Sequence, residues 1–356
     1  MPVDEFKENC TVNIGSCDNS TWLWNSSSSN DSDEDLSSPF ITKLQIGFQL
    51  VVGLLGTFGN VLVFTVIREM KRKKSTTDIF VQNLSIADLG IFLLSTPLMA
   101  IKERLPYNWP FGKFACLYLY PIPEIFHGAS VWCIAVIAFD RYRQIITPRI
   151  YSPNKRRTLL KRAKYVVACV WIVSFLAPSL PLYFVVEYQR TTGRWCGPRW
   201  PQRLFAQAYM ILLTVFSYLL PLAVISWTYL AISRIIQRSN AFIKNITHGN
   251  GALEDRCCVS STKNVRLRQN RRAKKILTPM VLVFAVTMLP LNVFRLTIVF
   301  WPAMGKQDYY QNLLYAISVF VMLNSAANPV IYSIASRDFR RGIKNLFHKE
   351  SRKKDY

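Results

Sequence analysis

Residues 44–67 read LQIGFQLVVGLLGTFGNVLVFTVI, from Leu44 to Ile67 without one Asp, Glu, Lys or Arg. A helix rising about 1.5 Å per residue needs ~20 such residues to cross ~30 Å of hydrocarbon. Backbone groups there find no water and must bond within their own segment, so the stretch predicts a transmembrane helix. Working outward, Ile79–Ile101, Ala115–Phe139, Tyr165–Val186, Leu204–Ile232, Ile276–Trp301 and Tyr309–Ile334 repeat the pattern. In all seven stretches the only Asp, Glu, Lys or Arg are Asp88, Glu124 and Arg295. The expected fold class is therefore an all-α membrane protein, a seven-transmembrane-helix bundle. The composition agrees, at 51% hydrophobic and 18% charged over 356 residues, too apolar for a soluble chain of this size.

The net charge of +23 suggests nucleic-acid binding only when read without its distribution. Residues 1–40 hold one Lys against eight acids, while basic residues crowd alternate loops, Arg68–Lys74, Arg143–Lys164, Arg234–Lys275 and Arg337–Lys354. Excess Lys and Arg mark the cytoplasmic side. The N-terminus is expected outside and the C-terminus inside, in the plasma membrane, with no nucleic-acid partner. No signal-type apolar core precedes Phe40, so the first span is expected to serve as its own insertion signal. The sequons at Asn9, Asn19, Asn25 and Asn30 fall in the expected extracellular tail as glycosylation sites, whereas the Asn245 sequon falls in a cytoplasmic loop and is expected to stay bare. Only extracellular cysteines should form lasting bridges: Cys116 with Cys196 is the expected pair, while Cys10 and Cys17 are available for a second and the sequence leaves open whether they form it.

The reading divides the chain into an extracellular tail (1–40), a receptor domain (41–336), an amphipathic helix (337–348) and a cytoplasmic tail (349–356). Residues 339–347 carry Phe339, Ile343, Leu346 and Phe347 at helical spacing among Arg340, Arg341 and Lys344, as in a short helix lying on a membrane surface. The polar, basic stretch from Ser239 to about Arg268 is expected to be a long mobile loop. No internal repeat suggests the inverted halves of a transporter.

Polar groups in hydrocarbon are costly and are functional candidates by default. Asp88 is the sharpest, and Asn60, Ser130, Asn324 and Asn328 offer oxygens at similar depth. Such a set suits a hard cation such as sodium, and equally suits helix-to-helix hydrogen bonding. Sodium at Asp88, Ser130, Asn324 and Asn328 is the one expected cofactor-like ion.

One signature per span then follows in order: Gly59-Asn60, Leu84 through Asp88, Asp140-Arg141-Tyr142, Trp171, Pro221 with Tyr229, Phe284 with Pro290, and Asn328-Pro329-Val330-Ile331-Tyr332. Over nearly all of residues 41–348 the chain resembles the rhodopsin-like G-protein-coupled receptors. The resemblance implies that Arg141 is held by Asp140 at rest and swings toward a heterotrimeric G protein on activation, with Tyr229 and Tyr332 closing over it. Arrestin is a further implied partner. A guanidinium with five donors is chemically suited to such an exchange, and Pro221, Pro290 and Pro329 mark places where helices bend. The sequence departs from the family at Thr287-Met288-Leu289-Pro290, where flexible Met288 replaces an aromatic toggle, and at Asn270, where some relatives carry a locking acid.

The seventh span has no Lys to hold retinal. The position at which amine receptors of the family carry an aspartate is Pro123, and its neighbour Glu124 is expected to point elsewhere. The run Cys196-Gly197-Pro198-Arg199-Trp200-Pro201 is similar to the second extracellular loop of neuropeptide receptors such as those for neuropeptide Y, cholecystokinin and RFamide peptides. An extracellular peptide is thus the expected ligand; a small molecule or lipid is the alternative. Glu103, Glu124, His127, Asn292 and Arg295 are the ligand-binding candidates, with a basic ligand group facing the acids. Arg295 is also a candidate internal partner for Glu124, since a poorly solvated carboxylate needs a cation. No enzyme is expected: there is no His-Glu-x-x-His, and no second mid-membrane carboxylate faces Asp88.

Overall fold

The computed structural model describes residues 39–70, 74–105, 108–146, 153–190, 193–248, 253–307, 309–335 and 339–346. Seven helices are long and apolar enough to cross a membrane: Phe40–Glu69, Thr76–Lys102, Gly112–Ile146, Asn154–Val185, Arg203–Arg238, Leu277–Phe300 and Tyr310–Ile334. They are called the first to seventh spans. The third is central, packing on the second, fourth and fifth, while the first packs on the second and seventh and the sixth on the fifth and seventh. Val63, Leu84, Ile134, Ile137, Ile225, Ile232 and Phe284, all 2% exposed or less, form the core between them. Small residues set the closest approaches. A Cβ at Gly90 would fall 2.2 Å from the Phe126 ring, and one at Gly56 2.2 Å from Phe92, so these glycines let the spans sit tightly together.

Four spans contain a π-helical turn: Ile91–Ser95, Ala115–Leu119, Phe175–Ser179 and Val215–Leu219. Each lies beside or contains a proline, Pro97, Pro121, Pro178 and Pro221 respectively. Proline lacks the backbone donor and its ring crowds the carbonyl one turn back, and a widened turn relieves both. Pro290 and Pro329 lie inside helices instead.

Two short strands, β1 (Val186–Arg190) and β2 (Arg194–Pro198), form an antiparallel hairpin between the fourth and fifth spans, with Tyr188 opposite Cys196. At the other end of the bundle a helix over 339–346 turns its apolar side onto the core. Phe339 is 4% exposed, Ile343 and Leu346 pack on the same cluster, and Arg340 donates to the carbonyls of Ser333 and Ile334 at 3.0 and 2.6 Å.

The expected long loop is corrected by the backbone. The fifth-span helix runs through to His248 and the sixth-span helix begins at Leu253. No Gly or Pro interrupts 222–248 or 253–278, so helix-favouring Lys, Arg, Gln and Leu carry the turns past the apolar stretch, and Gly249-Asn250-Gly251 separates the two helices in sequence. The sequons at Asn9, Asn19, Asn25 and Asn30, and Cys10 and Cys17, lie outside the described residues.

Candidate functional site

At one end of the bundle Cys116, in the first turns of the third span, is bonded to Cys196 of β2, with Cα atoms 5.7 Å apart. Trp109, 2% exposed, donates its backbone N–H to Arg194 at 2.7 Å and its indole N–H to the Gly112 carbonyl at 3.0 Å. The hairpin is thereby fixed across the end of the helices. Beneath it lies a cavity of about 90 Å³ lined by Tyr120, Glu124, Leu182, Trp200, Tyr209 and Arg295 among others. The Tyr209 hydroxyl donates to the Pro178 carbonyl at 2.6 Å, its ring lies 5.0 Å from Trp200, and Lys102 donates to the Tyr120 hydroxyl.

The floor of this cavity is ionic. Arg295 Nη2 donates to both Glu124 carboxylate oxygens at 2.9 and 3.0 Å, and Nη1 donates to Ser217 Oγ at 3.1 Å. Their side chains are only 10% and 16% exposed. Two charges so poorly solvated persist only because each satisfies the other. The bridge joins the third span to the sixth, and Ser217 ties in the fifth. Asn292, one turn deeper, donates to the Met288 carbonyl at 2.8 Å and lies 3.4 Å from Ser217 Oγ. His127 is 8% exposed, and its Nε2 has no hydrogen-bond partner among the described residues. The expectation that Glu124 points elsewhere is corrected: its carboxylate lines the cavity, and Arg295 reaches across from the sixth span to meet it. Glu103 falls in the helix Thr96–Arg104, and its side chain is outside the described residues.

Halfway along the bundle Asp88 is fully buried. Ser130 Oγ donates to one of its oxygens at 2.7 Å and Asn328 Nδ2 to the other at 2.9 Å, linking the second, third and seventh spans. Asn324 goes elsewhere, accepting from Thr287 at 3.3 Å, and Asn60 donates to the Gly56 and Ser325 carbonyls at 3.0 and 3.3 Å. Ser325, wholly buried on the seventh span, turns its hydroxyl toward the Asp88 carboxylate. A carboxylate with hydroxyl and amide oxygens around it has the donor chemistry of a sodium site.

At the end away from the disulfide, Asp140 accepts from Thr76 at 3.0 and 2.9 Å, from Thr77 at 2.8 Å and from Gln144 at 2.7 Å. The Asp140 carboxylate, where the resemblance implies a resting partner for Arg141, is engaged by these three side chains. Arg141 Nη1 approaches Gln144 Oε1 at 3.5 Å. Tyr142 packs edge-on against Trp227, ring centres 4.9 Å apart. Tyr332 is buried and its hydroxyl has no hydrogen-bond partner among the described residues, Tyr229 packs on the core, and Phe284 and Met288 are 0% and 1% exposed.

Sequence reasoning missed Ser217, Thr76, Thr77, Gln144 and Thr287. Two signals pointed to some of them. Ser75-Thr76-Thr77-Asp78 has the Ser-x-x-acid spacing of a helix start, and Ser75 and Asp78 do cap each other, which places both threonines at the mouth of the second span. Ser217 is a hydroxyl within a membrane span, where a buried polar atom requires a partner.

Residues 59–332 match the family described as 7 transmembrane receptor (rhodopsin family). Galanin receptor type 1 of Rattus norvegicus is 28% identical over 313 residues, which cover 86% of this chain and 82% of the receptor. Neuropeptide receptor npr-1 of Caenorhabditis elegans is 28% identical over 352 residues, 89% of this chain and 74% of its own. Somatostatin receptor type 2 of Sus scrofa is 29% identical over 302 residues, 83% and 74% respectively.

Proposed function

The chain belongs to the rhodopsin family of seven-transmembrane receptors, and from that premise we propose that it binds an extracellular peptide at the disulfide end and activates a heterotrimeric G protein at the other. The observation that carries the reading is the arrangement along the third span. Its one end is clamped to a hairpin over a cavity with an ionic floor, and its other end presents Arg141 beside an acid already held by neighbours. The relatives named for galanin, somatostatin and neuropeptides favour a peptide over the small-molecule or lipid alternative. The basic loops at the Arg141 end support a plasma-membrane orientation with that end in the cytoplasm.

In this reading the peptide enters beneath the hairpin beside the packed Trp200 and Tyr209 rings, and its basic group takes the Glu124 carboxylate from Arg295. The third span is then released from the sixth at the outer end, where His127, Asn292 and Met288 lie below. Sodium binds Asp88 with Ser130 and Asn328 in the resting state. Arg141 and Tyr142 meet the G protein, and later arrestin, with Tyr229 and Tyr332 closing over Arg141, once the sixth span moves at Phe284 and Pro290. The test is a peptide-library screen on cells expressing the full chain, read with several G-protein biosensors. At least one peptide is expected to drive G-protein activation. Activation by lipids or small molecules with none by peptides would overturn the peptide reading.

A further inference from the structure

A groove of about 470 Å³ opens at the Arg141 end between the third and fifth spans, lined by Tyr142, Ile146, Trp227, Ala231, Arg234 and Arg238 among others. It faces away from the bundle. On the fifth span Ile225, Ile232 and Ile236 are 0%, 0% and 6% exposed and face the core. At about 100° per residue, Leu220, Trp227, Arg234 and Arg238 fall on the opposite side of the same helix. Leu220 and Trp227 are accordingly 48% and 52% exposed. The outer stripe is thus apolar along its membrane length and becomes basic about 10 Å beyond Trp227.

The two guanidinium groups, one helical turn apart, make no hydrogen bond or ion pair with any other described residue. Between them and the apolar stripe stands Trp227, its ring braced edge-on by Tyr142, the residue type that settles at the level of lipid headgroups. We propose that this groove binds an acidic phospholipid, its headgroup phosphate held by Arg234 and Arg238 and one acyl chain running along Ile146, Ala231 and Trp227. Charge complementarity selects the ligand. Arginine suits phosphate because its planar fork donates two parallel hydrogen bonds. The apolar lining selects a lipid over a free anion, since inorganic phosphate would leave the Ile146 and Ala231 surfaces unused. Placement in the cytoplasmic leaflet rests on the orientation proposed above; the site itself does not.

The experiment uses the full chain purified in a neutral detergent with phosphatidylserine or phosphatidylcholine added, bound lipid being counted by native mass spectrometry. Micelles have no sides, so a wrong orientation leaves this result intact and shows only in a separate sidedness assay. Phosphatidylserine is expected to be retained over phosphatidylcholine. The Arg234→Gln/Arg238→Gln double variant is expected to lose about thirtyfold in affinity for it, from the attraction of two basic residues to an acidic lipid. Trp227→Leu should weaken both lipids, and Arg162→Gln, an exposed arginine at the same end, should change neither. If the double variant is not produced, Arg238→Gln alone is expected to show a smaller loss in the same direction. Retention equal to the unaltered chain would overturn the proposal. So would full displacement by inorganic phosphate, which would reduce the groove to an anion site. Variants that keep lipid binding but lose G-protein coupling would give the groove to the G protein, with the same consequence.

Discussion

The Glu124–Arg295 pair is the residue on which the ligand question turns, because the carboxylate is already satisfied before any ligand arrives. Glu124→Gln is expected to reduce affinity for an arginine-bearing agonist peptide by about 2–5 kcal/mol, the range for truncating one side of a desolvated charge pair. The loss should disappear for the same peptide with its arginine neutralised. Competition binding with both peptides checks this, and equal losses would leave the bridge purely internal. Asp88 makes a second case. Its two donors come from the third and seventh spans, so a cation there holds three helices together and favours one packing over another. Agonist affinity of the unaltered receptor is expected to fall as sodium replaces a larger cation at constant ionic strength, and Asp88→Asn should abolish that dependence. Radioligand competition in the two salts decides it. Both residues were legible because a charge inside an apolar run stands out without any structure. Their partners were legible only in part. Asn324 shares the depth of Asp88, yet Thr287 captures it, and depth read from sequence does not reveal which way a side chain turns.

Elements were legible where a single rule governed them. Each span follows from apolar length, and the helix over 339–346 from its spacing, since periodicity survives any packing. The hairpin and the π turns were not legible as geometry. Two five-residue strands carry little pattern of their own, and they pair because Cys196 is tied to Cys116 and Trp109 bonds Arg194. The extension of the fifth and sixth helices beyond the apolar stretch was misread as loop because polarity was taken for irregularity, although no Gly or Pro interrupts them. The hairpin gives a test at this scale. With Cys116 and Cys196 both changed to Ser, the hairpin keeps its ladder and Trp109 contacts but loses its covalent tether, and closing the loop again costs conformational entropy. Peptide affinity is expected to fall at least tenfold, by analogy with about 2–4 kcal/mol for removing a disulfide, while the seven spans still assemble. Saturation binding on surface-labelled cells measures both quantities, and unchanged affinity at equal surface expression would separate the hairpin from the ligand site.

Across the whole molecule the third span is the axis, 35 residues from Gly112 to Ile146 that touch the disulfide, the ionic floor, the Asp88 cluster and the Arg141 end in turn. Glu124 and Arg141 are about 25 Å apart along its axis, at about 1.5 Å per residue. No direct contact joins them, so binding and signalling communicate only through how the other spans pack on this one, as coupling between two states of the bundle. That separation predicts a dissociation of the two activities. Arg141 is held near Gln144, and Asp140 keeps its own partners in Thr76 and Thr77. On the proposed role of Arg141, Arg141→Ala therefore removes a coupling group without exposing an unpaired acid, and the second span stays capped by Ser75 and Asp78. The variant is expected to reach the surface and bind peptide with affinity changed by less than about threefold, within the ±0.5 kcal/mol typical of substitutions away from packed features. G-protein activation at saturating peptide should be lost. Coupling is reciprocal in binding free energy, so the G protein should also stop raising peptide affinity in membranes. Measuring peptide affinity with and without a non-hydrolysable guanine nucleotide reads this directly, a shift being expected for the unaltered receptor and none for Arg141→Ala. Undiminished activation at equal surface expression would remove Arg141 from the coupling surface. A collapse of peptide affinity would mean that the guanidinium supports the bundle itself.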